Sequence, residues 1–324
     1  MLLMSNVNLT DPIFTDEEKA REWLEGVRWA GGAFCSHCGS LNVIRMEGEA
    51  HRAGLHNCRD CRKQFSVTTG TVFERSHVPL NKWVLANYLI NSSKKGISAH
   101  QLHRTIGVTY KAAWFMAHRL REAMTNPNLP PLGGEGKVVE ADEAYHGKRE
   151  LHEPSPNRRG LPYIKKGKAA GKRAIVALVE RGGEARAVAM TEKRVTSKNV
   201  REVLVKHADA KSRLQTDESV LYPSIAPAFA SHETVNHAAK QYARGKGADL
   251  VTTNSVEGFF GVFKRDFTGI SQHCGEQHFQ RYLDEYTFRY NHRVKLGFTD
   301  AERALAAMKG IEGKRLTYRR ISAA

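Results

Sequence analysis

Asn254-Ser-Val-Glu-Gly-Phe-Phe-Gly-Val-Phe-Lys-Arg265 is the stretch from which the fold is read. Phe259, Phe260 and Phe263 give it a packing face at helical spacing. At about 3.6 residues per turn, Asn254, Glu257 and Lys264 project from roughly one side of the same helix. One carboxylate cannot hold a hard divalent cation alone, because magnesium takes several oxygen ligands in near-octahedral geometry. Partners must come from elsewhere in the chain. Val138-Val-Glu-Ala-Asp-Glu-Ala-Tyr145 and Leu214-Gln-Thr-Asp-Glu218 each read as a short strand ending in acid, and they supply Asp142 and Asp217. The three segments together define a candidate Asp, Asp, Glu metal site.

The 324 residues are 41% apolar and hold no apolar run long enough to span a bilayer, so a multidomain globular protein is expected, without a membrane and in the cytoplasm. A formal charge of +16 points to a polyanionic partner, since Lys and Arg that neutralise phosphates release counterions. The charge is uneven: residues 1–136 carry a net +4 and the remainder +12. Gly147 to Arg173 alone holds nine basic residues, among them Arg158, Arg159, Lys165 and Lys166, against Glu150 and Glu153. Interspersed with Gly and Pro, it reads as a mobile basic loop for DNA.

The N-terminal 30 residues read as one helix, with Thr15 as N-cap and Glu18 completing a capping box. From 31 to 75, Cys35 and Cys38 pair with Cys58 and Cys61 in two Cys-x-x-Cys knuckles, the spacing of a structural Zn²⁺ ribbon with strands near Val43 and Gln64. Arg59, Arg62 and Lys63 could take that ribbon to DNA. From 78 to 125 three helices follow, Leu80–Ile90, Ser98–Thr105 and Thr109–Met124, the last two joined across Gly107 as in a helix-turn-helix. Thr109, Tyr110 and Lys111 open the third helix and would face DNA; an ordinary helical bundle is the alternative. Residues 126–136 are linker-like. Strands at 137–145, 173–179, 185–190, 212–216 and 234–237, with a helix at 197–207, give the order three strands, helix, strand, helix, strand, helix. That order matches an RNase H-like α/β domain over 137–300, followed by a basic tail from 301 to 324. Glu140 shares the face of Asp142 by alternation, whereas Glu143 and Glu218 turn away or towards solvent. His146 and His237 lie near strand ends as groups that could support the site. Cys274 is left as a free thiol. Tyr282, Phe288 and Tyr290 are expected in the core, and Arg289 and Arg293 are candidates to meet DNA.

Asp142-Glu-Ala-Tyr-His-Gly, Thr216-Asp217-Glu-Ser, Thr253-Asn-Ser-Val-Glu257-Gly-Phe-Phe-Gly-Val-Phe-Lys264-Arg and Tyr282-Leu-Asp-Glu-Tyr-Thr-Phe-Arg-Tyr-Asn-His-Arg293 occur in this order. Together they resemble the IS1595-family, ISXO2-like insertion-sequence transposases. The resemblance implies a DDE-type enzyme that binds the terminal inverted repeats of its element and transfers DNA strands through two Mg²⁺ ions. Asp142 would bridge both ions, Asp217 would bind one, and Glu257 or Asn254 the other, since the family shows either residue type as third ligand. A third carboxylate balances two divalent ions better, which favours Glu257. Lys264, with Arg265 beside it, would contact DNA near the cut. Pairing two DNA ends implies a homo-oligomer. Two other functions fit the same residues: a zinc-ribbon regulator with an inactive catalytic domain, and a nuclease that cuts without joining.

Overall fold

The computed structural model describes residues 7–148, 171–191 and 195–317. It divides into two units, one made of residues 1–126 with 292–324 and the other of 127–291. Arg158, Arg159, Lys165 and Lys166 of the expected basic loop lie outside the described residues.

In the first unit, α1 (Pro12–Thr15) leads directly into α2 (Glu17–Arg28). Asp16 rather than Thr15 caps α2, accepting from Glu18 N and Lys19 N. Thr15 closes α1, because Asp11 and Pro12 start a helical turn of their own. The ribbon has three antiparallel strands, β1 (Val43–Arg45), β2 (His56–Cys58) and β3 (Gln64–Phe65). The expected strands at Val43 and Gln64 are its edges. The central strand, His56-Asn-Cys, has no apolar alternation to announce it, and Trp29, His56 and Phe65 pack ring to ring behind it.

Three helices follow: α3 (Leu80–Asn91), α4 (Ala99–Ile106) and α5 (Tyr110–Met124). Ser98 caps α4, accepting from Gln101 N, and Thr109 caps α5, accepting from Ala112 N. Between them Gly107 takes φ 64°, a left-handed turn that suits a residue without Cβ. The stretch expected as a tail contains a helix, Asp300–Lys309, which packs on α3. Asn87 Nδ2 donates to Ala304 O at 2.8 Å, and Val72 N donates to Ile311 O at 3.2 Å.

The second unit is built on a five-stranded mixed sheet. Its strands are β4 (Val138–Lys148), β5 (Lys172–Glu180), β6 (Ala185–Ala189), β7 (Arg213–Thr216) and β8 (Ser231–Thr234), in the spatial order β6-β5-β4-β7-β8. The first three are antiparallel; β7 and β8 run parallel to β4. Ala174–Val179 is buried on both faces, hence its unbroken apolar run. Ile175, Ala177 and Val179 pack with Phe259, Phe260 and Phe263 of α7 (Asn254–Gly269) and Leu283 of α8 (Phe279–Asn291). Ala174, Val176 and Leu178 pack on the other face with Val200 and Leu204 of α6 (Ser197–His207). Helices on both faces of this sheet make the RNase H-like α/β domain expected from the sequence.

Four details differ from that expectation. The edge strand β8 ends at Thr234 and leaves His237 in the following loop. No α-helix joins β7 to β8; Pro223 and Pro227 shorten the connection to a 3₁₀ turn at Ala226–Ala228. A small ribbon, β9 (Ala243–Arg244) with β10 (Val251–Thr252), leads into α7. Leu132, in the expected linker, is buried and bonded to His207 O and Asp209 N.

Candidate active site and metal centre

The parallel register of β4 with β7 sets two of the acids side by side. Glu140 pairs with Gln215, so Asp217, just past the carboxyl end of β7, comes level with Asp142 on the neighbouring parallel strand β4, where the β4–β7 pairing runs out. Such strand ends are where open α/β sheets bind ligands. Helix α7 brings Glu257 to the same edge, and its charge reaches Asp142. Burial, and then the charges of Asp217 and Glu257, push its carboxyl up from 3.8 to about 6, while Glu143 N and Lys264 pull the other way. Among the described residues the acids do not gather their oxygens as closely as the four cysteines do.

Glu257 is partly exposed and held by neighbours. Thr253 Oγ1 donates to its Oε1 at 2.8 Å, and His237 Nε2 lies 3.3 Å from the same oxygen. His237 is placed there by Glu218, which accepts from His237 N and Ala238 N, both at 2.9 Å. Sequence position near a strand end hinted at His237, but its contact with Glu257 depends on a loop of no regular pattern. Asn254 is the exposed first residue of α7, and Lys264 and Arg265 are exposed two turns along.

Other acids separate by face. Glu143 turns away from Asp142 as alternation requires, and it is half-buried, with its Oε1 out of reach of solvent beside Tyr222. Burial and then the charges of Asp142 and Asp217 raise it to about 7, against a lowering influence from Tyr222. His146 packs edge-on against Phe263 and Phe267, and burial lowers its pKa. Arg289, a candidate for DNA, is instead buried in the core, paired with Asp266 at 2.8 Å and with Glu285. The i, i+4 spacing of Glu285 and Arg289 on α8 was the sequence signal for that role.

In the ribbon, Cys35 Sγ lies 3.6 Å from Cys61 Sγ and Cys38 Sγ 3.7 Å from Cys58 Sγ, with all four sulfurs within 4.8 Å of one another. A tetrahedron of Zn–S bonds of 2.3 Å has sulfurs about 3.8 Å apart, so the four thiolates fit zinc. Each knuckle closes on a left-handed residue, Gly39 and Arg62. At the opening of α5, Thr109, Tyr110 and Lys111 are exposed, and His100 stacks on Tyr110 at 4.2 Å.

Residues 131–291 match the ISXO2-like transposase domain, and residues 15–64 match the transposase zinc-ribbon domain. The chain is 32% identical over 257 residues to an uncharacterized protein in the transposable element ISH50 of Halobacterium salinarum, covering 78% of this chain and 83% of that protein. The chain belongs to the IS1595-family, ISXO2-like transposases. Among solved structures it overlaps a simian T-cell lymphotropic virus intasome in complex with PP2A regulatory subunit B56 gamma, at 15% identity and a TM-score of 0.29. That overlap covers 57% of this chain and 63% of the other, under two thirds of its length. It also overlaps the Mos1 strand transfer complex, at 11% identity over 65% of this chain and 70% of that one, with a TM-score of 0.29. Overlaps this loose carry no weight beside the family match. No helix among the described residues is long and apolar enough to cross a membrane.

Proposed function

We propose that this family member binds the terminal inverted repeats of its insertion sequence and catalyses Mg²⁺-dependent cleavage and strand transfer, with Asp142, Asp217 and Glu257 as its metal ligands. The observation that carries the reading is the meeting of Asp142, Asp217 and Glu257 at one sheet edge, where burial and then the charges of Asp217 and Glu257 raise the Asp142 carboxyl. Carboxylates held together against their own repulsion are what a hard cation relieves. The donor set fits magnesium, with oxygens from three carboxylates and no thiolate. When bound, a pair of such ions activates a water or a 3′-hydroxyl and steadies the leaving oxygen of an in-line displacement.

Within that reading Glu257 is the third ligand, because its charge reaches Asp142, and Asn254 stands one turn earlier on an exposed position. Thr253 and His237 fix the orientation of the Glu257 carboxyl. Lys264 and Arg265 hold the phosphate backbone beside the cut, from the same helix. The ribbon at 31–75 and the helices at 78–125 recognise the DNA end, with Thr109, Tyr110 and Lys111 at the base edges and phosphates. The domain at 137–300 carries the chemistry. Arg158, Arg159, Lys165 and Lys166 add sequence-independent phosphate contacts, and two or more subunits bring two ends together. No side-chain nucleophile is needed, since the attacking oxygen comes from water or DNA.

A strand-transfer assay with purified protein, Mg²⁺ and DNA bearing the element's terminal repeats tests this. Cut and joined products are expected from the wild type and lost in Asp142→Asn, Asp217→Asn and Glu257→Gln, with DNA binding retained. Loss in Asn254→Ala alone would move the third ligand to that position. Cut but unjoined DNA would make the protein a nuclease, and binding without cutting in the wild type would make it a regulator.

A further inference from the structure

We infer that Glu140, with Arg181 and Gln215, is the positioning device of the acid site. Its buried carboxylate on the Asp142 strand caps the helix that carries Glu257, and so fixes the third acid against the first two. The inference rests on the reading of Asp142, Asp217 and Glu257 as the reacting centre.

Helix α7 begins without a side-chain cap of its own: Thr253, at the N-cap position, makes no hydrogen bond to the helix backbone. Thr252 Oγ1 accepts from Asn254 N, and the next two orphan N–H groups of the first turn are satisfied by Glu140, 115 residues before Ser255 along the chain. Glu140 Oε2 accepts from Ser255 N at 2.7 Å and Val256 N at 3.2 Å, and its Oε1 accepts from Ser255 Oγ at 3.0 Å. A carboxylate at a helix N-terminus also meets the positive end of the helix dipole. Glu140 is 0% exposed, and an acid so deeply buried needs a partner of opposite charge. Arg181 provides it, with Nε donating to Glu140 Oε1 at 3.0 Å.

The same guanidinium reaches the other acid-bearing strand. Arg181 Nη2 donates to Gln215 Oε1 at 2.6 Å and to Thr252 O at 3.2 Å, and Nη1 donates to Leu250 O at 2.9 Å. Gln215 Oε1 also accepts from Thr252 N at 3.0 Å. Glu140 and Gln215 are direct partners in the β4–β7 register, one same-face step before Asp142 and Asp217. A single buried network therefore ties β4, β7, β10 and the start of α7 together directly behind the acids. A surface ion pair could be lost without consequence; this one sets the distance between elements that each deliver one acid.

The test is Glu140→Gln in the full-length protein, which keeps the shape but turns an amide donor towards a donor-rich site. Cleavage of terminal-repeat DNA is expected to fall about 100-fold, the usual effect of displacing a catalytic group by an ångström or of removing an outer ligand support. DNA-end affinity and zinc content should stay at wild-type values. Hydrogen exchange read by mass spectrometry on the zinc-loaded protein without added Mg²⁺ should show the 253–258 segment exchanging roughly tenfold faster, with β5 unchanged. Cleavage within about threefold of wild type overturns the inference. So does lost cleavage with unaltered α7 exchange, which would put Glu140 in the chemistry itself. Should Glu140→Gln fail to fold, Ser255→Ala removes only the hydroxyl bond. It is expected to lower cleavage about threefold to tenfold and to loosen the same segment; no change in either readout overturns the inference. If the wild type cuts no DNA, the reading of the reacting centre fails, whereas the exchange result still judges the cap.

Discussion

Asp142→Asn should make the protein more stable at neutral pH while removing its proposed activity. In the fold the Asp142 carboxyl stands at about 6, raised from 3.8 by burial and by Asp217 and Glu257. At about 1.4 kcal/mol per pKa unit, holding it ionised at pH 7.5 costs roughly 3 kcal/mol, and partial solvent screening brings the expected gain on neutralisation to between 1 and 3 kcal/mol. A carboxyl raised in the folded state binds its proton more tightly there than in the unfolded chain. The wild type therefore loses stability as pH rises from 3.8 to about 6, and regains it on acidification. Asparagine does not titrate, so the gap between variant and wild type should shrink to roughly a third of its neutral value at pH 4.5. Asparagine Oδ1 can still accept from Glu143 N, the 2.7 Å bond that Asp142 makes. Trp23, Trp29, Trp83 and Trp114 all lie outside residues 127–291, so tryptophan fluorescence cannot follow this unit. Calorimetry without added Mg²⁺, with exchange of β5 peptides as a local probe, would. Adding Mg²⁺ should then stabilise the wild type and narrow the gap. A variant no more stable than wild type at pH 7.5, or a gain independent of pH, would refute the charge-repulsion argument.

Three further outcomes are expected. Cys58→Ser should release zinc, so that a colorimetric assay finds well under one zinc per chain; an unchanged ratio would remove Cys58 from the cluster. Arg289→Met leaves Asp266 and Glu285 buried without their cation and should cost about 3–5 kcal/mol, read by thermal unfolding, with no direct effect on the salt dependence of DNA binding. Weaker DNA binding at full stability would return Arg289 to the surface role it was first considered for. Lys111→Ala should weaken binding to all sequences alike and lower the slope of log affinity against log salt by about one, measured by fluorescence anisotropy. A change confined to one sequence would make Lys111 a base-reading residue.

The acid-bearing unit is largely legible because its signals are local or periodic. Ser197–His207 is found with the expected bounds, since Thr196 and Asn199 form a capping box around an apolar stripe. The buried run Ala174–Val179 could only be a strand covered on both faces. Where bounds slipped, the local signal was weak. Ser231-His-Glu-Thr has little apolar character, and its place in the sheet comes from backbone pairing with β7. The central ribbon strand is set by packing around the knuckles, not by its own residues. At the site, alternation put Glu140 and Asp142 on one face, yet the partners of Glu140 lie 41 and 115 residues away, beyond any periodicity. Alternation likewise turns Glu143 away from Asp142, as found, but it carries no sign of Tyr222, which lies 79 residues on and packs beside it.

The helix at 300–309 bears on how the protein is made. It closes the first unit through Asn87, and Arg303 Nη1 donates to Asn91 O. The chain thus enters this unit, leaves it for the whole of residues 127–291, and comes back to finish it. During synthesis the acid-bearing unit is complete while the ribbon and the three helices after it still lack a wall of their core. The unit expected to grip DNA therefore matures after the acid-bearing one, once the helix at 300–309 has left the ribosome. A chain stopped at residue 291 should show this directly, with protease cutting first within residues 1–126 and sparing the sheet. Equal resistance of both units would mean that the first stands without the helix at 300–309.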